Sequence, residues 1–300
     1  MDQKLTCICG DAVSEMSKMP DKSIRLIVTD PPYNLSKNYG VSNDNLNFND
    51  YIEFSRKWLC EAVRLLTDDG SIYMFMGVRY ISYIYIMLEQ EFKLNFNSWI
   101  TWFYTQGIGK TKGFSPRHDD ILFFTKHNKN FIFNLDNIRI PQKFYRSVNN
   151  MRGANPGNVW EFSHTHYCSK NRQNHPTQKP ESLFERIILA SSNEGDMVLD
   201  PFVGSGTALR VCQQTKRNCI GIDINPYYIE MAEKRLAEPF NGFDSIDERM
   251  KRLPEDLGNT KIRDEYIENH INWFLKNYPN EMKDFKEKHS HTSKSINLFN

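Results

Sequence analysis

Apolar residues are arranged along this chain in two alternating patterns. Short apolar runs bounded by turn residues, such as residues 24–28 and 196–200, are typical of buried parallel strands. Longer stretches repeat apolar residues every three or four positions, as residues 50–66 do, and this spacing predicts amphipathic helices. Strands and helices that take turns along a chain predict a doubly wound, mostly parallel α/β sheet of Rossmann-like layout.

These patterns predict a seven-stranded sheet. The predicted strands are residues 5–9, 24–28, 71–76, 95–104, 121–125, 196–200 and 218–223, and the predicted helices are residues 12–19, 50–66, 79–90, 181–191, 208–214 and 227–236. Asp50 is expected to cap the second helix, because an aspartate side chain can accept from the free N–H groups of the first turn. Asp69 and Gly70 are expected to turn the chain into the third strand.

A stiff polar turn follows the second predicted strand. Pro31 and Pro32 fix the backbone and supply no N–H groups, so the segment can neither continue the sheet nor begin a regular helix. It presents the Asp30 carboxylate, backbone carbonyls and the Tyr33 ring at the carboxyl end of a strand, where open α/β sheets bind ligands. These groups suit a planar base that carries an exocyclic amine. The alternative is a proline-stiffened strand exit with a buried tyrosine.

A glycine-rich turn follows the predicted strand at residues 196–200. Gly204 and Gly206 would let a ligand approach the backbone just before the helix that begins near Ala208. One strand later, Asp223 lies where an acid can accept hydrogen bonds from ribose hydroxyls. The two features together predict a site for a ligand that contains a ribose.

With these motifs the sequence resembles the S-adenosylmethionine-dependent DNA amino-methyltransferases. The matching segments are residues 30–33, 175–180, 200–207 and 221–223, followed by Tyr228, Ala232, Arg235 and Leu236. The catalytic motif precedes the cofactor motif, an order that resembles the circularly permuted β class. The resemblance covers roughly residues 5–238, and the joint occurrence of these motifs in this order is highly specific.

The resemblance implies methyl transfer from S-adenosylmethionine to the exocyclic amine of a base flipped out of double-stranded DNA. The implied catalytic residues are Asp30, Pro31, Pro32 and Tyr33, and the implied cofactor-binding residues are Asp11, Asp200, Phe202, Gly204, Ser205, Gly206, Thr207 and Asp223. In that family, aspartate at the first catalytic position goes mainly with adenine, so N6 of adenine is the expected target and N4 of cytosine the alternative. Asp11 could instead cap the following helix, and both roles can hold.

Basic residues are concentrated between residues 101 and 180. This stretch has twelve Lys or Arg against four acids, whereas the whole chain has a net charge of +1. Interleaved aromatic and asparagine residues suit phosphate contacts and base-edge readout, so residues 126–174 are assigned as an inserted target-recognition region. The residues expected to bind DNA are Lys126, Lys129, Arg146 and Arg152. Residues 107–111 lack the first glycine of a phosphate loop and predict a flexible, basic, DNA-facing turn instead.

The chain is expected to form one catalytic domain over residues 1–240 and a helical extension over residues 241–300 that ends in a disordered tail. No apolar run approaches the roughly 20 residues of a membrane span, and the first residues do not form a signal-peptide pattern, so a cytoplasmic protein is expected. Whether the chain forms a homodimer or acts beside a cognate restriction endonuclease is left open by the residues.

Other kinds of protein share part of this pattern. A nicotinamide dehydrogenase also uses a glycine turn and a later acid, but its third glycine would fall on Leu209 and the Asp30 loop would have no role. A DNA-binding module without enzyme activity accounts for the basic stretch but not for two ligand motifs. Methylation of RNA or protein amines is not distinguished by the residues. His164, His166 and Cys168 alternate on a polar stretch and are expected to share one face rather than bind zinc, so no metal is expected.

Overall fold

The structure is a computed structural model that describes residues 3–37, 44–105, 109–140, 153–163, 172–173 and 175–239. The chain divides into two compact units, residues 1–134 with 157–246 and residues 135–156 with 247–300. In the described part of the second unit, a 3-10 turn spans Leu135–Asn137, and the Arg139 guanidinium donates to the Asp136 carboxylate at 2.6 Å. The helical extension and residues 141–152, 164–171 and 174 of the expected target-recognition region lie outside the described residues, so both assignments stay predictions.

The first unit contains eight strands and six α-helices within the described residues. The strands are β1 (Leu5–Cys9), β2 (Ile24–Thr29), β3 (Leu66–Met76), β4 (Asn95–Phe103), β5 (His118–Thr125), β6 (Val159–Glu161), β7 (Met197–Asp200) and β8 (Asn218–Asp223). The helices are α1 (Ala12–Met16), α2 (Phe48–Leu65), α3 (Ile81–Ile86), α4 (Glu181–Ser191), α5 (Thr207–Gln214) and α6 (Pro226–Ala237).

The strands form one mixed sheet in the order β1-β8-β7-β2-β3-β5-β4-β6. The five strands from β1 to β3 are parallel, β5 runs antiparallel to both β3 and β4, and β6 is parallel to β4. This confirms the predicted doubly wound, mostly parallel fold. The expected count of seven strands was wrong, because three residues, Val159–Glu161, pair with β4 inside a polar stretch that has no strand-like period.

Apolar layers cover both faces of the sheet. Helices α1, α2 and α3 pack on one face, and helices α4, α5 and α6 pack on the other. Side chains of β3 alternate between the layers: Met74 and Met76 join the first, and Tyr73 and Phe75 the second. Burial on both faces explains why the central strands have nearly continuous apolar sequences.

Several predicted boundaries shift. The side chain of Asn47, not Asp50, caps α2 and accepts from the backbone N–H of Asp50. The predicted turn at residues 69–70 is an irregularity inside β3, whose first residue Leu66 already pairs with Ile24. Helix α3 continues as a π-helical turn over Met87–Glu91. In the described part of the chain, no helix combines the length and apolarity needed to cross a membrane.

Candidate active site

Four acids lie at the carboxyl ends of four adjacent parallel strands. Asp11 follows β1, Asp30 follows β2, and Asp200 and Asp223 are the last residues of β7 and β8. Strands β2 and β7 are neighbours in the sheet although about 170 residues separate them in the chain. A cleft of about 310 Å³ opens at this edge, and all four acids line it. The fold therefore brings the two predicted motifs to one site.

The Asp30 carboxylate is held by two donors. The Tyr33 hydroxyl donates to Asp30 Oδ1 at 2.6 Å, and the Lys179 ammonium donates to Asp30 Oδ2 at 2.6 Å. The Asp30 and Lys179 side chains are only 16% and 7% exposed, so water screens this ion pair less than a surface pair. Both carboxylate oxygens are therefore held in fixed positions just after the carboxyl end of β2.

Aromatic rings surround the Lys179 ammonium. The nitrogen lies 5.4 Å from the centre of the Tyr33 ring, 5.4 Å from that of Phe75 and 6.0 Å from that of Trp102. In the sequence, Lys179 is recognisable only as a basic residue within a family-like segment. No local pattern could identify its partner, because Asp30 and Lys179 are 149 residues apart.

The loop after Asp30 is set by close packing. The Tyr33 ring lies against the backbone of Gly77, where an added Cβ would stand 3.1 Å from a ring carbon, so the residue after β3 must be small. The Pro32 carbonyl accepts from the Tyr51 hydroxyl at 2.8 Å. Among the described residues none donates to the Pro31 carbonyl, but Pro31 is buried and is not a lining residue of the cleft, so its role as an acceptor stays a prediction.

The glycine turn uses its two glycines differently. Gly204 and Gly206 both have positive φ, +47° and +77°, where side chains are strained. A Cβ on Gly204 would stand 2.8 Å from His175 Nε2, at the lining of the cleft. A Cβ on Gly206 would stand 2.8 Å from the Ala232 side chain in α6, and Gly206 is not a lining residue. Gly206 therefore serves helix packing, while Gly204 faces the ligand space.

Asp223 joins the two cofactor motifs. Its Oδ2 accepts from Gly204 N at 3.0 Å, and its Oδ1 accepts from Asn225 N at 2.9 Å. Each carboxylate oxygen has a second lone pair, so both can still accept from a ligand hydroxyl. Burial raises the pKa of Asp223 above its usual range, and the two backbone N–H groups partly offset that rise.

Asp200 is the most buried of the four acids. Its Oδ1 accepts from Phe202 N at 3.2 Å, and burial raises the pKa of Asp200 to about 8. Phe202, two residues after Asp200, lines the cleft and packs edge-on against Trp58, with ring centres 5.2 Å apart. A buried acid beside an open cleft suits a ligand that brings positive charge.

The remaining cofactor-motif residues support the turn or line its edge. Asp11 accepts from Ser14 N and also lines the cleft, so the helix cap is observed and the cofactor-binding role stays a prediction. Ser205 and Thr207 are buried lining residues, and the Arg235 guanidinium donates to Ser205 O at 2.9 Å. Arg235 also forms a buried ion pair with Glu181 at 2.5 Å, which ties the turn to α4 and α6.

His175 is a cleft residue for which the sequence predicted no role of its own. Its Nδ1 accepts from Thr177 N at 3.3 Å, which assigns the proton of the neutral ring to Nε2, and Nε2 faces Gly204. Burial lowers the pKa of His175 to about 4, so the ring is uncharged at neutral pH. Its position in residues 175–180, a segment noted only for its family resemblance, was the available signal.

Of the residues expected to bind DNA, the two that the structure describes do not lie at this site. Lys126 and Lys129 follow β5 at the edge opposite the cleft, where Thr125 pairs with Ser71, the first residue of the regular part of β3. The Lys126 ammonium donates to Val63 O at 2.6 Å, and burial lowers its pKa. Arg146 and Arg152 lie outside the described residues. Contact of Arg146 and Arg152 with DNA stays a prediction, whereas Lys126 and Lys129 lie at the edge of the sheet away from the catalytic residues.

The sequence matches two families. A family described as DNA methylase matches residues 24–234, and the D12 class of N6 adenine-specific DNA methyltransferases matches residues 181–299. The chain is 67% identical over 285 residues to the Type II methyltransferase M.HpaI of Haemophilus parainfluenzae, a match that covers 95% of this chain and 90% of that protein. It is 38% identical to the DNA adenine methyltransferase YhdJ of Escherichia coli (strain K12), over 77% of this chain and 82% of that protein.

Solved structures share the fold. The M1.HpyAVI–SAM complex superposes with a TM-score of 0.54 at 25% identity, over 77% of this chain and 100% of that chain. The PvuII DNA methyltransferase (cytosine-N4-specific) has a TM-score of 0.65 at 18% identity, over 88% of this chain and 93% of that chain, a likeness of fold alone. The doubly wound sheet that joins this glycine turn to the Asp-Pro-Pro-Tyr loop, together with these matches, identifies a methyltransferase. The chain belongs to the DNA methylase family.

Proposed function

We propose that this enzyme transfers the methyl group of S-adenosylmethionine to N6 of adenine at a specific sequence in double-stranded DNA. The observation that carries the proposal is the Lys179 ammonium, held on Asp30 Oδ2 at 2.6 Å among aromatic rings. The position of Lys179 shows that Asp30 can accept a hydrogen bond from a nitrogen that lies beside a ring face. The exocyclic amine of a flipped base requires the same kind of acceptor and the same kind of ring. The names of M.HpaI and YhdJ and the match to the D12 class support adenine and DNA.

The cleft fits S-adenosylmethionine by the chemistry of its donors. Asp223 retains acceptor capacity for ribose hydroxyls, and the buried Asp200 suits the positive charge of the methionine part. Gly204 leaves space that a Cβ would fill. When bound, this cofactor supplies a methyl group on a positively charged sulfur. M1.HpyAVI, a relative in structure, was solved with SAM, which supports the assignment.

The chain's own residues would act on the base. The Asp30 carboxylate and the Pro31 carbonyl accept the two amine hydrogens, which directs the nitrogen lone pair toward the methyl carbon. As the N–C bond forms and the C–S bond breaks, positive charge moves to the amine nitrogen, and Asp30 stabilises it. Tyr33 offers a ring face for stacking. Before the base arrives, Lys179 neutralises a carboxylate that would otherwise stand unpaired in a largely buried pocket.

The order of motifs supports placement in the circularly permuted β class. The catalytic strand β2 precedes the cofactor strand β7 in the chain, yet the two are neighbours in the sheet. The relative M.HpaI is named a Type II methyltransferase, which supports a cognate restriction endonuclease as a partner of this enzyme. The proposed location is the cytoplasm, where bacterial DNA lies. Assembly as a homodimer stays a prediction that sedimentation analysis of the purified chain tests.

The deciding experiment identifies the modified base. Unmethylated genomic DNA is incubated with the enzyme and labelled S-adenosylmethionine, digested to nucleosides and analysed by mass spectrometry, while sequencing gives the context of the modified positions. We expect N6-methyladenine at one short sequence, and none with the Asp30→Ala variant. N4-methylcytosine would establish the alternative substrate instead. Absence of methyl transfer to any DNA, with transfer to RNA or protein, would contradict the proposal.

A further inference from the structure

The loop between β4 and β5 begins and ends at the catalytic edge of the sheet. Its base is closed where Phe103 pairs with His118 and Tyr104 N donates to Arg117 O at 2.9 Å. Next to it in the sheet, Met76 of β3 pairs with Asp120 of β5, and the residue after Met76 is the glycine that contacts Tyr33. The base of the loop therefore lies beside the catalytic residues.

Phe114 is the most exposed large apolar side chain among the described residues, with 99% of its surface open to solvent. It lies in a pinned turn, because Lys110 N donates to the Ser115 hydroxyl oxygen at 2.7 Å and Gly113 has a φ of +97°. The hydrogen bond closes a short loop, and the positive φ turns the chain sharply just before Phe114. The ring is thus presented to solvent on a turn that is held by a hydrogen bond from Lys110 to the Ser115 side chain.

The surroundings of Phe114 carry positive charge. Between residues 105 and 117 the chain has Lys110, Lys112 and Arg117 and no acid, and both lysines are exposed. Phe114 is three residue steps from Arg117 at the base of the loop, which limits its reach to about 10 Å. That length is similar to the depth of a DNA groove, roughly 8 Å. One protruding ring among cations suits a nucleic acid better than an apolar protein surface, which would demand a larger patch.

We propose that Phe114 is a wedge that enters the base stack of the DNA duplex at the position vacated by the target base, while Lys110 and Lys112 contact neighbouring phosphates. This inference rests on the proposed DNA function. Apolar side chains inserted between base steps unstack them, and an inserted ring replaces stacking contacts that the flipped base has lost. The catalytic pocket then receives a base whose return to the duplex is blocked.

The test compares Phe114→Ala with the wild type on duplexes that carry the sequence found by genomic methylation. With a fully paired target we expect the single-turnover transfer rate of Phe114→Ala to fall at least tenfold. The fluorescence of 2-aminopurine at the target, which reports unstacking, should fall as well. Placing an abasic site opposite the target adenine weakens the pairing that opposes flipping, so it should restore most of the rate of Phe114→Ala. Phe114→Trp should retain activity on the paired duplex.

Phe96→Ala is the matched control. This phenylalanine is 42% exposed at the start of β4, the end of the strand away from the catalytic edge, and its loss should leave 2-aminopurine fluorescence unchanged. A wild-type rate of Phe114→Ala on the paired duplex would overturn the wedge, as would an equal loss on paired and abasic duplexes. Failure of the wild type itself to methylate DNA would overturn the proposed function, so the two failures are distinguishable.

Discussion

At the scale of single residues, Asp30 depends on partners that come from different parts of the chain. Tyr33 holds one carboxylate oxygen from within the same loop, and Lys179 holds the other from the segment before α4. An ion pair in a largely buried pocket stabilises the fold only while both members are present, because removal of one leaves the other charge without compensation. The roles of Asp30 in stability and in catalysis can therefore be separated by substitution.

Asp30→Ala should lower the single-turnover transfer rate by about 10²–10³, the range found when one preorganised electrostatic contact to a transition state is removed. Affinity for S-adenosylmethionine, measured by calorimetry, should change little, because Asp30 acts on the base. The variant should also unfold more easily, because the Lys179 ammonium is left unpaired. The double variant Asp30→Ala with Lys179→Met should regain stability in thermal unfolding but not activity. A near-normal transfer rate for Asp30→Ala would contradict the catalytic role.

Cofactor binding should depend on pH through Asp200. Burial raises its pKa to about 8, so below that pH the carboxyl of the empty site is largely protonated. A positively charged ligand favours the ionised form, so binding releases a proton and affinity should rise with pH until it levels off above about 8. The largest slope for one proton is about tenfold per pH unit. Calorimetry at several pH values, in buffers of different ionisation enthalpy, measures both quantities.

Asp200→Asn provides the control for this pH effect. Titration of the ligand's own amino group is common to both proteins, so the difference between their slopes belongs to Asp200. We expect weaker binding and a flatter pH dependence in the variant. Equal slopes for the two proteins would show that Asp200 neither gains nor loses a proton when the cofactor binds, which would contradict the prediction.

At the scale of elements, the glycine turn is held from three sides. The Asp223 carboxylate accepts from the N–H of Gly204 in the turn, and Arg235 of α6 donates to the carbonyl of Ser205 in the turn. Glu181 at the start of α4 forms an ion pair with Arg235. Buried polar groups with all partners present rigidify a site. The turn is therefore positioned by helices on the α4–α6 face of the sheet rather than by its own sequence alone.

Gly204→Val and Gly206→Ala should separate binding from stability. Both force a side chain into positive φ, which costs on the order of 1–3 kcal/mol. At position 204 the side chain also displaces His175 at the cleft, so cofactor affinity should fall at least tenfold. At position 206 it meets Ala232 of α6, so the main effect should be a lower free energy of unfolding in urea. Unchanged affinity for a folded Gly204→Val protein would remove the turn from the cofactor site.

At the scale of the whole molecule, the location of positive charge relative to the cleft decides which cations meet DNA. The β4–β5 loop, with Lys110 and Lys112, begins and ends at the edge that carries Asp30, whereas Lys126 and Lys129 follow β5 at the other edge. A duplex placed with one base in the cleft reaches the first pair more directly. The net charge of residues 101–180 does not distinguish these two sites.

Salt dependence should show which lysines contact phosphates. Each phosphate contact contributes about −0.9 to the slope of log K against log salt concentration, so Lys110→Gln with Lys112→Gln should flatten that slope by up to about 2. Lys126→Gln with Lys129→Gln, which removes the same charge, should leave it near the wild-type value. Fluorescence anisotropy with one labelled duplex at several salt concentrations measures both. A flatter salt dependence only for the Lys126→Gln, Lys129→Gln double variant would place the DNA surface at the edge of Lys126 and Lys129.

The sequence by itself determined the fold class and the identity of the two motifs. Continuous apolar runs such as Ile24–Val28 are dictated by burial on both faces of a sheet, and a stiff or glycine-rich turn after such a run marks the strand end where ligands bind. The acids at residues 30, 200 and 223 were found in this way, because each signal lies within a few residues of its strand. Local signals failed for the three-residue strand β6 and for the cap of α2.

Only the tertiary structure decided which residues meet across the site. Lys179 reaches Asp30, His175 reaches Gly204, and Arg235 reaches Glu181 through strand order and helix packing, and none of these pairs is close in sequence. Strand direction likewise decides at which edge of the sheet a charged residue lies. Because β5 runs antiparallel to β3, Lys126 at its carboxyl end lies away from the cleft. Pairing of this kind depends on distances in space, which residue patterns along one segment do not contain.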